Sequence, residues 1–173
     1  YINSSRAEHV LTIEDPIEFV HRDKKSIITQ REIGEDTTSY AEGLRMALRQ
    51  DPDVILVGEV RDEDTARIAI QAALTGHLVF STLHTNDAPG TLARLLDMAI
   101  EPFLIASSVA AVVAQRLVRT ICPRCKTPFE PSKETLEKIG LEPAKGQQFF
   151  HGKGCKSCRN LGYKGRTGIF EIL

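Results

Sequence analysis

Val54-Ile-Leu-Val57 is an unbroken run of β-favouring apolar residues with helix-periodic segments on both sides. Such a run reads as a central strand of a parallel sheet, buried on both faces. Before it, Ser39-Tyr-Ala-Glu42 has the pattern of a capping box: the Ser39 hydroxyl accepts a backbone N–H and Glu42 reaches back to the Ser39 N–H. Tyr40, Leu44, Ala47 and Leu48 then recur at helical spacing, predicting a helix to about Gln50 that Asp51-Pro52-Asp53 breaks. After the run, residues 62–74 form a second helical pattern, with acids in its first turn and Gly76 just past its end. Leu78-Val-Phe80 is another buried strand, and residues 88–98 a further helix with Pro89 in its first turn.

Upstream, His9-Val-Leu-Thr-Ile13 is a short strand that must stop by Pro16, which cannot donate to a ladder. Residues 26–30 form an edge strand or a hairpin arm. Repeated strand–helix–strand units predict an α/β fold with a parallel sheet and helices on both faces. The pattern changes after Arg119, where cysteines, prolines, glycines and lysines dominate and only residues 132–139 read as helical. The expected division is therefore residues 1–118 and 119–173.

A chain of 173 residues suffices for one domain or a core with a small module. Its 42% hydrophobic and 26% charged residues are globular values. A net charge of −1 gives no overall reason to expect a nucleic-acid partner. Residues 1–5 are polar, so no signal peptide is expected. The longest uncharged stretch, from Pro102 up to Arg116, is too short for a bilayer, which needs about 20 apolar residues. It reads as a helix buried in protein.

Three strands end in residues that can do chemistry: Glu14-Asp15 after the first, Gly58-Glu59-Val60-Arg61 after the second, and Ser81-Thr82-Leu83-His84 after the third. Open α/β sheets bind ligands beyond the carboxyl ends of their strands. A carboxylate there suits a Mg·ATP site, where it orients water or a metal ligand. Each acid taken alone is also what a strand returning to water carries. His77 and His84, seven positions apart, fit one site only if the chain bends after Phe80.

Cys122-Pro-Arg-Cys125 and Cys155-Lys-Ser-Cys158 are two Cys-x-x-Cys knuckles separated by residues 126–154. Two knuckles complete a tetrahedral site, and four thiolates suit Zn²⁺ better than iron. With all four positions filled by protein, the metal is structural. Arg116, Arg119, Arg124, Lys126, Lys153, Lys156 and Arg159 surround the knuckles and read as a solvated rim.

The order of these segments resembles one family. Residues 11–19 (LTIEDPIEF) look like the acidic box of the type II secretion and type IV pilus ATPases. Residues 49–62 (RQDPDVILVGEVRD) look like their Walker B segment, and residues 75–86 (TGHLVFSTLHTN) like their histidine box. The sequence Gln115-Arg-Leu-Val-Arg119 followed by paired cysteines is similar to members that drive assembly or secretion, not to retraction motors. The resemblance implies a RecA-like, hexameric ATPase using ATP and Mg²⁺. By it, Glu14 is the general base, Glu59 the Walker B acid near Mg²⁺, and His84 the γ-phosphate sensor. Asp15, Arg61, His77 and Thr82 support the phosphate site, and Cys122, Cys125, Cys155 and Cys158 hold zinc. It also implies a cytoplasmic location, with attachment to the bacterial inner membrane through the cytoplasmic part of a secretion or pilus protein.

No Gly-x-x-x-x-Gly-Lys-Ser/Thr occurs in the chain. Family members carry that loop shortly before the segment that begins here, so this stretch alone is expected not to hydrolyse ATP. Two other readings compete: a zinc-ribbon binding module on an α/β scaffold, and a structural assembly domain with vestigial acidic boxes.

Overall fold

Four parallel strands form the main sheet, in the order β2-β1-β3-β4. They are β1 (His9–Glu14), β2 (Ile27–Glu32), β3 (Val54–Val57) and β4 (Leu78–Ser81) in this computed structural model, which describes residues 1–142 and 146–173. β1 lies in register with both neighbours, Thr12 opposite Gln30 on β2 and opposite Leu56 on β3. The segment at residues 26–30 is thus an edge strand, and its parallel pairing excludes a hairpin arm. Each strand enters at the same end of the sheet, so Glu14, Gly58 and Thr82 all emerge at the other.

A four-residue helix, α1 (Ile2–Ser5), precedes the sheet. The helix α2 (Tyr40–Ala47) starts with Ser39 Oγ accepting the Glu42 N–H at 3.2 Å. Only this half of the capping box forms, because the Glu42 carboxylate turns instead to the N–H and hydroxyl of Thr38. The helix α3 (Glu63–Leu74) is capped by Asp62, whose carboxylate accepts the Thr65 N–H at 2.8 Å. It stops at Gly76, which sits at φ +103, a conformation costly for residues with a Cβ.

The two helices cover one face of the sheet. Strand side chains alternate between faces, and Leu11, Ile13, Ile55 and Val57 meet Tyr40, Leu44, Ala47, Ile68, Ala69 and Ala72 in one core. The helices α4 (Ala88–Asp97) and α5 (Pro102–Ser108) pack with α3 in a second cluster built on Val60, Ile70, Leu95, Met98, Ile100 and Ile105. That cluster leaves part of the opposite sheet face uncovered. On that face Leu56, Leu78 and Phe80 remain 36%, 40% and 44% exposed. The expectations of helices on both faces and of a buried strand at residues 78–80 are therefore corrected among the described residues, while the strand at residues 54–57 is buried at all but Leu56.

The uncharged stretch from Pro102 is also not one buried helix. The helix α5 ends at Ser108, and Ile105 is its one buried residue. Ser107 and Ser108 turn their hydroxyls back onto the carbonyls of Phe103 and Leu104, and the β-branched run that follows favours extended chain. That run enters β5 (Val113–Ile121), which pairs with β8 (Tyr163–Ile172).

The chain divides into two compact units, Tyr1–Ala114 with Glu171–Leu173, and Gln115–Phe170. The second unit also contains β6 (Lys126–Phe129) antiparallel to β7 (Phe149–Gly152), and α6 (Lys133–Lys138) capped by Ser132. Among the described residues, no helix is long and apolar enough to cross a membrane.

Candidate functional site

The carboxyl ends of β1, β3 and β4 are laced together by backbone and hydroxyl groups. The Gly58 N–H donates to the Ile13 carbonyl at 2.8 Å, the Val60 N–H to the Thr82 carbonyl at 2.9 Å, and the Thr82 hydroxyl to the Gly58 carbonyl at 2.7 Å. A Cβ at residue 58 would stand 3.1 Å from the Tyr40 hydroxyl and 3.2 Å from the Ile13 carbonyl, so glycine suits this close approach. The lacing fixes the loop carrying Glu59 against the loop carrying His84.

Glu59 is the centre of the cluster. One carboxylate oxygen receives Arg61 Nη2 at 2.6 Å, and the other lies 3.1 Å from His84 Nε2. The Arg61 guanidinium also reaches Asp15 at 3.8 Å and lies over the Tyr40 ring, 5.9 Å from its centre. Hydrogen bonding from Arg61 holds the Glu59 carboxyl below its ordinary value; burial opposes this, and His84 adds to it. The same pairing raises Arg61. Tyr40 is pushed up, first by burial and then by the charges of Glu59 and Asp15.

Glu14 sits at the next strand end. Its Oε1 accepts the Thr12 hydroxyl at 2.6 Å and Gln30 Nε2 at 2.9 Å. The Asp15-Pro16 peptide that follows is cis. Glu14, Asp15, Glu59, Arg61, Thr82 and His84 are therefore gathered at one end of the sheet.

His77 is not gathered there. It precedes β4, with Nδ1 2.9 Å from the Ala72 carbonyl and 3.2 Å from the Thr75 hydroxyl. The four residues of β4, about 13 Å of extended chain, separate it from the loop that bears His84. Sequence reasoning missed Tyr40, Thr12 and Gln30. Tyr40 reads as helix core, and the other two as ordinary strand residues. Only the cross-strand register places Gln30 beside Glu14.

In the second unit the four cysteines converge as free thiols. Their sulfurs lie within 4.8 Å of one another, with 3.9 Å from Cys122 to Cys155, 3.8 Å from Cys125 to Cys158 and 3.7 Å from Cys155 to Cys158. Sulfurs bound tetrahedrally at about 2.3 Å from Zn²⁺ stand about 3.8 Å apart, so the set is compatible with a zinc site. The N–H groups of Cys155 and Gly162 donate to Cys158 Sγ at 3.2 and 3.3 Å. Burial raises the Cys158 thiol, but these donors outweigh it and bring it to about 6. Cys125 is pushed up to about 12, chiefly by burial. Gly162 and Gly152 cross backbone to backbone with no room for a Cβ on either.

The family described as "Type II/IV secretion system protein" matches residues 1–173. The chain is 49% identical over 171 residues to type II secretion system protein E of Pseudomonas aeruginosa, covering 98% of this chain and 33% of that protein. It is 52% identical over 172 residues to the type II secretion system ATPase E of Vibrio cholerae, covering 99% of this chain and 33% of that protein. It is 47% identical over 168 residues to the type IV pilus assembly ATPase PilB of Myxococcus xanthus, covering 95% and 29%. The chain thus spans about a third of the length of the curated relatives it matches. Among solved structures, the pilus retraction motor PilT with bound ADP superimposes with a TM-score of 0.68 at 49% identity, over 71% of this chain and 38% of that one. The ATPase DotB of Legionella pneumophila superimposes with 0.62 at 36% identity, over 68% and 34%. By sequence over its whole length, the chain belongs to the type II/IV secretion system protein family.

Proposed function

We propose that this chain is the catalytic-acid portion of a motor ATPase that drives type II secretion or assembles a type IV pilus. Residues 1–118 are then part of a RecA-like P-loop core, and residues 119–173 a small part stapled by zinc on Cys122, Cys125, Cys155 and Cys158. The observation that carries the reading is Glu59, held between Arg61 and His84 at the strand ends where Glu14 also emerges. In this reading Glu14 takes a proton from the water that attacks the γ-phosphorus, the bond to the ADP oxygen breaks, and ADP leaves with the electron pair. Glu59 is the acid that would hold Mg²⁺, which supplies charge neutralisation at the phosphates. His84 meets the γ-phosphate as donor, Arg61 keeps Glu59 oriented, and Asp15 and Thr82 hold the two loops.

His77 contributes at most indirectly, through the α3–β4 joint it ties. The phosphate-cradling loop is absent from these residues, so the chain alone is inactive and the longer protein is the enzyme. That protein works as a homo-hexamer in the cytoplasm, pushing on the cytoplasmic part of an inner-membrane secretion or pilus protein. No nucleic acid takes part. The relatives' names and the tetracysteine unit favour secretion or assembly over retraction.

The test is Mg²⁺-dependent phosphate release by the full-length protein with Glu59→Gln. Loss of turnover with retained nucleotide binding supports the reading. Unchanged turnover sinks it and leaves a scaffold with vestigial acids.

A further inference from the structure

Glu14 is held by two side chains that come from different strands and converge on one atom. Thr12 and Glu14 are two positions apart on β1, so they project from the same face of the sheet. Gln30 is the register partner of Thr12 on β2 and shares that face. The Thr12 hydroxyl donates to Glu14 Oε1 at 2.6 Å, and Gln30 Nε2 donates to the same oxygen at 2.9 Å. Among the described residues, Glu14 Oε2 receives no hydrogen bond.

Gln30 is itself held rigidly. Its Oε1 accepts the His21 N–H at 2.7 Å, and its Nε2 also donates to the Phe19 carbonyl at 3.0 Å. These bonds fix which end of the amide faces Glu14: the oxygen is used by an N–H, so the nitrogen must face the carboxylate. Thr12 is almost fully buried between the neighbouring strands and has little freedom to look elsewhere.

We infer that Thr12 and Gln30 are positioning residues that clamp Glu14 Oε1 and thereby present Oε2 to the attacking water. This rests on the reading of Glu14 as the proton acceptor. A carboxylate bound at one oxygen by two donors cannot rotate about its terminal torsion without losing both. Its free oxygen is therefore aimed before any substrate arrives, which is what a general base requires. Displacement of a reacting group by about 1 Å can cost about 100-fold in rate.

The experiment uses the full-length protein and compares Thr12→Val, Gln30→Met, the double variant, Thr12→Ser and Glu14→Gln. Kinetics with Mg·ATP give kcat and KM, and a crystal structure of the double variant reports the Glu14 rotamer. The clamp predicts that each single substitution lowers kcat about 10-fold and the double about 100-fold. KM stays within about twofold, and Thr12→Ser restores most of kcat. In the double variant the Glu14 carboxylate leaves its present rotamer or occupies two.

A purely structural role for Gln30, through residues 19–21, would not be shared by Thr12→Val, which touches no part of that loop. If Glu14→Gln abolishes turnover while Thr12→Val and Gln30→Met keep kcat within twofold, the clamp is wrong and the base survives. If Glu14→Gln itself leaves kcat unchanged, the base reading fails and takes the clamp with it.

Discussion

His84 Nε2 lies 3.1 Å from Glu59 Oε2, although 25 positions separate them. The pair forms because β3 and β4 are parallel neighbours whose terminal loops are tied by Thr82 and Val60. Removing one partner leaves the other misdirected. In the full-length protein, Glu59→Gln should lower ATP turnover by about 100-fold, the scale seen when a preorganised charge-stabilising group is lost. His84→Ala should also lower kcat. Phosphate release at saturating ATP measures both, and a loss under threefold in either would contradict the assignment.

The Glu59–Arg61 pair has a definite pH signature. The folded-state value of Glu59 lies below its ordinary 4.5. Between the two values the unfolded chain binds the extra proton, so stability there rises with pH. The contribution is complete above about pH 5 and fades as pH falls through the folded value. Thermal unfolding of wild type and Arg61→Met should therefore differ at pH 7 and converge as pH falls below the folded value of Glu59. Curves separated by the same interval at both ends would contradict the pairing.

Zinc should be present at one ion per chain by elemental analysis. Cys122→Ser or Cys158→Ser should reduce it to a trace. Zinc binding to four thiolates contributes on the order of 10 kcal/mol to folding of a small module. Chelation should accordingly unfold residues 115–170, seen as loss of protection in hydrogen exchange, while β1 to β4 stay protected. Retained protection after complete metal removal would show that this unit has a sufficient core of its own.

His77 offers a contrast to His84. It ties the end of α3 to the start of β4 through the Ala72 carbonyl. His77→Ala should cost about 1 kcal/mol, the net contribution of one hydrogen bond. In a protein of this size that lowers Tm by about 2–4 °C. An unchanged Tm in a calorimetric scan would show that the bond contributes nothing.

The strand ends at Ile13, Val57 and Ser81 are legible in the sequence because an apolar β-favouring run that gives way to polar residues, carboxylates after the first two, is a local signal. So are the Asp62 cap and the Gly76 stop, each set by one side chain or its absence. The cysteine cluster is legible from spacing. What resists is everything decided between distant residues. Glu42 chooses Thr38 over Ser39, and Gln30 meets Glu14 only through register. The two histidines of one motif fall at opposite ends of β4 because the motif contains the whole strand. The strands β5 and β8 are also missed: their polar residues and exposed faces lack the apolar run that marks a buried strand.

β4 is the outermost strand of the main sheet, and its neighbouring apolar side chains Leu78 and Phe80 are open to water. A strand with a bare hydrogen-bonding edge and greasy flanks is a template for adding another strand. The shortness of β4, four residues, limits that pairing, so these residues alone are expected to self-associate weakly and only at high concentration. Phe80→Lys should reduce any such self-association, read by light scattering, and an unchanged signal would show that the β4 edge takes no part.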